Sequence, residues 1–198
     1  MEFYRRSPHG ARSLGVLAGS FNPPTVAHVE LARAARDRVD EILCVVPRAF
    51  PHKEYFGATL EQRLQMLDSA GLPSPYSIAA ADQGLFIDIA EACRPHYGPD
   101  ARMYFICGRD AAERILNWDY GDPCMLNRMM REFELLVAAR AGRFSPPPEF
   151  QHRVHELALP EEHDVVSSTE VRTRIARGEP WTHLVPEPII ERVREVYS

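Results

Sequence analysis

Short apolar runs alternate with longer amphipathic stretches along this chain. Ser13–Ala18 (SLGVLA) is apolar and closed by Gly19, which reads as a buried strand. Over residues 25–39, Val29, Leu31, Ala32, Ala35 and Val39 recur at helical spacing. Residues 41–46 (EILCVV) form a second buried strand, ended by Pro47. Residues 59–70 put Leu60, Leu64 and Leu67 on one helix face and stop at Gly71. A weaker strand is expected over 76–80, then a helix over 85–93 stopped near Pro95. Strands over 102–107, 134–139 and 152–159 and a helix over 110–117 follow, and two helices, about 168–177 and 188–197, close the chain.

Strands alternating with helices imply βαβ units. Right-handed crossovers then give an α/β fold, a doubly wound, Rossmann-like parallel sheet whose ligand sits at the carboxyl ends of the strands. The C-terminal helices, about residues 167–198, are expected to pack at one edge as a small helical subdomain. A length of 198 residues suits one domain with a core that needs no staple. We take residues 13–198 as that domain and 1–12 as a flexible leader.

Charge and cysteine narrow the class. The 23 basic and 28 acidic residues leave a net charge of −5. That argues against broad binding of nucleic acid or of an anionic membrane surface. No apolar run is long enough for a membrane span. Cys44, Cys93, Cys107 and Cys124 are far apart, which reads as free thiols in a reducing cytoplasm, not a disulfide framework. His152 and His155 have no cysteine at zinc-ligand spacing, and no resident metal is expected.

Two strings carry candidate chemistry. Residues 19–28 read GSFNPPTVAH: a strand ends at Gly19, a proline-stiffened loop follows, and a helix starts near Thr25. A glycine lets a ligand approach the backbone, and a helix start offers N–H groups and a positive dipole end. Thr25 and His28, three apart, share one face of the first turn and could donate to neighbouring phosphate oxygens. The same string also reads as an N-cap threonine and a surface histidine. Neither the dinucleotide fingerprint nor the P-loop pattern fits it. The second string is SSTEVR, residues 167–172. Ser167 and Glu170 have capping-box spacing. Ser168, Thr169 and Arg172 beside them add hydroxyls and a guanidinium suited to a phosphate chain.

Together these strings resemble the HxGH-type nucleotidyltransferase superfamily, and within it the nicotinate and nicotinamide mononucleotide adenylyltransferases. The resemblance runs from about Leu14 to Tyr197 and includes VPRAFPHK (46–53), LEQRLQML (60–67), CGRD (107–110) with Trp118, LVAAR (136–140) and HLVP (183–186). It implies an enzyme of NAD biosynthesis that joins ATP to a pyridine mononucleotide and releases pyrophosphate, with Mg²⁺ accompanying the ATP. By that resemblance Gly19, Ser20 and Phe21 line the nucleotide, and Thr25 and His28 contact the ATP phosphates. Lys53 reaches phosphate, Gly108 and Asp110 hold the adenosine or metal side, and Trp118 stacks on the pyridine ring. Ser167, Ser168, Thr169 and Arg172 hold the leaving pyrophosphate. Other readings exist for three of these: Asp110 with Glu113 has capping-box spacing, Trp118 could be core, and Lys53 a solvated loop lysine. The implied partners are small-molecule substrates, with room for a homo-oligomer.

The sequence departs from the family pattern in places. Thr25 stands where many bacterial members have histidine, Ala27 where they have glycine, and Asn22 where aspartate is common. Phe86-Ile87-Asp88-Ile89 replaces a threonine-bearing stretch associated with pyridine-nucleotide specificity. Rival readings are an adenylyltransferase for another acceptor, such as phosphopantetheine, or a non-catalytic nucleotide-binding homologue.

Overall fold

The computed structural model describes residues 1–8, 10–49, 57–122, 124–138, 144–158 and 166–197. Seven strands and seven α-helices are described: β1 Glu2–Arg5, β2 Ser13–Ala18, α1 Val26–Ala35, β3 Glu41–Pro47, α2 Leu60–Asp68, β4 Tyr76–Ala81 and α3 Phe86–Tyr97. Then come β5 Arg102–Gly108, α4 Arg109–Asn117, α5 Met125–Glu132, β6 Glu134–Ala138, β7 Val154–Leu157, α6 Ser168–Arg177 and α7 Ile190–Tyr197. The strands form one sheet in the order β1-β4-β3-β2-β5-β6-β7. All neighbours from β4 to β7 pair in parallel, and only β1 is antiparallel, on β4.

The strand side chains alternate between two cores, as a sheet buried on both faces requires. Leu17, Ile42, Cys44, Val46, Ile78, Ile106 and Leu136 face one core with α1, α2, α6 and α7. Leu14, Val16, Leu43, Val45, Ala79, Phe105, Leu135 and Val137 face the other with α3, α4 and α5. This is the doubly wound α/β arrangement that the alternation of runs implies. No described helix is long and apolar enough to cross a membrane.

Several elements differ from the sequence reading. The expected leader contains β1, which pairs with β4 through Glu2, Phe3 and Arg5. Phe3 packs edge-on against His96 at 5.0 Å, the Arg6 guanidinium lies 5.0 Å over the Phe3 ring, and Ser7 N–H donates to Ser77 Oγ at 2.8 Å. One aromatic side chain with these neighbours outweighs the polar character of the segment. α3 runs through Pro95 to Tyr97, closed by Gly98 N–H on the Arg94 carbonyl. α5 is a short helix that the sequence reading does not include; Met125, Leu126, Met129 and Met130 turn one face to the second core. The strand expected over 152–159 is confined to Val154–Leu157 within the described residues and follows a 3₁₀ turn, Pro148–Arg153.

Candidate active site

The chain runs from β2 outward to β3 and β4, and from β5 outward in the opposite direction to β6 and β7. β2 and β5 are neighbours and parallel. The strand order therefore reverses between them, and their carboxyl ends frame the crevice where doubly wound sheets bind ligands. The loop from Gly19 to Thr25 leaves β2 there. Gly108, the last residue of β5, leads directly into α4 beside it.

Thr25 is the N-cap of α1, extended at φ −121° and ψ 165°, and fully buried. Its backbone N–H donates to His28 Nδ1 at 3.0 Å, and its Oγ1 lies 2.7 Å from the same nitrogen. A ring nitrogen that accepts an N–H carries no proton, so the neutral imidazole is assigned as the Nε2–H tautomer. The cap reading of this string holds, and the cap fixes which edge of the imidazole carries the proton. The Phe21 ring lies 5.0 Å from that imidazole. Phe21 is itself completely buried at φ +46°, a conformation that costs a non-glycine residue energy. Gly19 N–H is committed to the Val45 carbonyl at 3.1 Å, so its amide is not a ligand donor. A Cβ at Gly19 would meet only the Phe21 ring, at an ordinary 3.5 Å. The surrounding fold does not require a glycine there.

The loop is gripped from three helices, its backbone carbonyls from α2 and α6 and a side chain from α7. Ser20 O accepts from Arg63 NH1 of α2 at 3.0 Å. Asn22 O accepts from Arg172 NH1 of α6 at 2.5 Å, and Pro23 O from Ser168 Oγ at 2.7 Å. Asn22 Oδ1 accepts from the Ala58 amide at 3.3 Å and from the Tyr197 hydroxyl of α7. The Asn22–Pro23 peptide is cis. The two strings 150 residues apart are therefore one site. Ser168 and Arg172 use hydrogen bonds to brace the loop after β2, whereas the sequence reading gave them phosphate contact alone.

The remaining residues of SSTEVR divide the work. Ser167 caps α6, its side chain accepting from Glu170 N–H at 3.1 Å. The Glu170 carboxylate turns forward to Arg174 Nε at 2.6 Å, so only half of the expected capping box forms. Thr169 Oγ1 accepts from Arg172 NH2 at 3.4 Å. The Asp110–Glu113 box does not form. Gly108 is the N-cap of α4, exposed Asp110 sits in its first turn, and Glu113 binds Arg109 Nε at 2.7 Å. Trp118, at the end of α4, is 50 % exposed, which removes its reading as core. Phe86 stacks on Phe105 at 4.3 Å and 21°, and Ile87 and Ile89 are buried. The departing stretch is thus an apolar patch. Lys53 lies outside the described residues.

Arg63 and Tyr197 are site residues that sequence reasoning missed. Arg63 is only 3 % exposed. It sits three residues after Leu60 and four before Leu67, inside the apolar stripe of α2, where a charge needs a partner. Tyr197 lies four residues after buried Val193 on α7. Both signals were readable as positions, but their partners were not.

A β2 loop that ends in the Thr25–His28 pair and is braced from a C-terminal helix, at the switch point of a doubly wound sheet, fits a nucleotidyltransferase. The sequence profile described as cytidylyltransferase-like matches residues 16–174. A probable nicotinate-nucleotide adenylyltransferase of Moorella thermoacetica is 31 % identical over 199 residues, covering 91 % of this chain and 88 % of that protein. One of the same name from Bordetella pertussis is 31 % identical over 197 residues, covering 91 % and 94 %. A solved structure, Plasmodium falciparum nicotinic acid mononucleotide adenylyltransferase complexed with NaAD, shares the fold at TM-score 0.69 and 18 % identity, covering 94 % and 96 % of the two chains. The chain belongs to the cytidylyltransferase-like family and, within it, groups with the nicotinate-nucleotide adenylyltransferases.

Proposed function

We propose that this enzyme transfers the adenylyl group of ATP to a pyridine mononucleotide, nicotinate mononucleotide in first place, in the NAD-forming step. A phosphate oxygen of the mononucleotide attacks the α-phosphorus of ATP. The bond from that phosphorus to the bridging oxygen breaks, and pyrophosphate leaves with the electron pair. No protein nucleophile is needed, so catalysis is positioning and charge stabilisation. The observation that carries this reading is the Thr25–His28 pair, held at the switch point with the donor edge of the imidazole fixed. His28 Nε2–H donates to the oxygens around the α-phosphorus, where charge grows in the transition state. Thr25 holds the ring through its amide and its hydroxyl. Gly19, bare where packing would allow a side chain, gives the nucleotide close approach to the loop that carries Ser20 and Phe21.

Arg172 and Ser168 keep the loop in register, and with Ser167 and Thr169 they mark the side on which pyrophosphate departs. Gly108 and Asp110 border the adenosine side, Lys53 supplies phosphate charge, and half-exposed Trp118 offers its ring to the pyridine. The described donors here are hydroxyls, an imidazole and guanidinium groups, which suit phosphate better than a cation. Among the described residues no three His, Cys, Asp or Glu side chains group as a metal site. Mg²⁺ would accompany ATP and neutralise its phosphates. The substrates are small molecules, and the reading places the enzyme in the cytoplasm.

Pyrophosphate release with ATP, Mg²⁺ and each of nicotinate mononucleotide, nicotinamide mononucleotide and phosphopantetheine tests the proposal. Release with a pyridine mononucleotide supports it. Release with phosphopantetheine alone, or with none of them, contradicts it.

A further inference from the structure

We propose that Tyr197 is a positioning residue of the phosphate loop, acting through Asn22. This inference rests on the reading of that loop as the ATP site. Three segments meet at one buried point. Asn22, 5 % exposed, belongs to the loop after β2. Gly57 and Ala58 lead into α2, and Tyr197 is the final residue of α7. The Asn22 Oδ1 accepts from both the Tyr197 hydroxyl and the Ala58 amide. Gly57 adopts φ +93°, and a Cβ there would lie 2.8 Å from Tyr197 Cε1 and 3.3 Å from Asn22 Oδ1. The ring edge therefore packs against a residue that must be glycine, and that packing helps aim the hydroxyl. Burial raises the Tyr197 pKa above its ordinary value, so the phenol stays a donor at any working pH.

The consequence for function is geometric. Asn22 is three residues before Thr25, and its carbonyl is held by Arg172 while its side chain is held by Tyr197. α6 and α7 thus fix the loop at one residue from two directions. Tyr197 also ties that loop to the start of α2, whose Arg63 holds Ser20. Losing the phenol removes the hydroxyl donor that α7 gives to Asn22 Oδ1 and so loosens the peptide run that presents Thr25 and His28.

The test is a double-mutant cycle with Tyr197→Phe, which keeps the ring against Gly57 and removes only the hydroxyl, and Asn22→Ala. Asn22→Ser, too short to meet the phenol, replaces Asn22→Ala if that variant does not fold. Steady-state kinetics with ATP and nicotinate mononucleotide are read beside ATP affinity by calorimetry. For Tyr197→Phe, kcat/KM for ATP falls about tenfold and Kd for ATP rises by a similar factor, while KM for the mononucleotide is unchanged. The double variant is no worse than the Asn22 variant alone. Wild-type ATP affinity in Tyr197→Phe, or losses that multiply in the double variant, would overturn the inference. If the wild-type enzyme binds ATP but turns over no pyridine mononucleotide, the proposed function fails and the calorimetric cycle still decides Tyr197. If it does not bind ATP, both fall.

Discussion

In the proposed reaction the chemistry turns on His28, and its environment sets a magnitude. There it donates to developing charge, in an orientation fixed by the Thr25 amide. Removing one such donor lowers kcat by roughly 10²–10³. His28→Ala should therefore show that loss in pyrophosphate release with its melting temperature near wild type, and unchanged turnover would remove His28 from the mechanism. Arg172 calls for a different expectation. Its NH1 braces Asn22 O, so Arg172→Ala should raise KM for ATP by loosening the loop as well as by lost charge. An unchanged KM for ATP would deny both roles. Thr25, His28, Ser168 and Arg172 were legible in the sequence because each sits in a contiguous string whose local geometry follows from a helix start. The division of labour among them was not. Ser168 and Arg172 face the carbonyls of residues about 150 positions away, and no local pattern encodes such a pairing. Arg63 and Tyr197 stood out only as polar groups on apolar helix faces.

At the scale of elements, caps and edges carry the expectations. Thr59 forms a complete capping box on α2: its Oγ1 accepts from Gln62 N–H at 3.2 Å, and Gln62 Oε1 accepts from Thr59 N–H at 2.8 Å. Thr59→Ala should cost about 1 kcal/mol in denaturant unfolding. Because α2 carries Arg63, ATP binding should weaken with it. The start of β2 is tied by Asp40, whose carboxylate accepts from the Arg12 and Ser13 amides at 2.9 Å each. The hydrogen bond from the Arg12 amide, and those from Ser13, hold its pKa below the ordinary 3.8. The unfolded chain thus binds that proton first, so Asp40 contributes stability that is complete above pH 3.8 and lost as pH falls through its lower folded value. Asp40→Asn should flatten the acid limb of the stability profile in that window; an unaltered limb would contradict it. Parallel strands and amphipathic helices were readable because each is long, apolar or periodic. β1 and α5 were not, since each is short and owes its form to Phe3 or to Met129 and Met130 meeting partners far along the chain.

For the whole molecule, a net charge of −5 and a phosphate ligand are compatible because the positive character is local. Arg63 and Arg172 converge on one loop from two helices, and α1 starts beneath it. The four cysteines follow the layering of the fold. Cys44, Cys93 and Cys107 are buried, and burial pushes each thiol up to about 12, while Cys124 is exposed. Titration of the native protein with a disulfide reagent should find one fast thiol and three more only after denaturation. Several fast thiols would contradict the two-core arrangement. The doubly wound sheet was readable from the order of runs alone, whereas the switch point between β2 and β5 came only with the strand order. The acceptor could not be read, because the stretch where a threonine-bearing signature would stand is Phe86–Ile89, whose Phe86 stacks on Phe105 and whose isoleucines are buried. The most direct test of the central claim is pyrophosphate release by the wild-type enzyme and by His28→Ala, with ATP, Mg²⁺ and nicotinate mononucleotide. The account predicts release coupled to dinucleotide formation in the wild type and a loss of roughly 10²–10³ in kcat for the variant; no release, or equal release by both proteins, would contradict it.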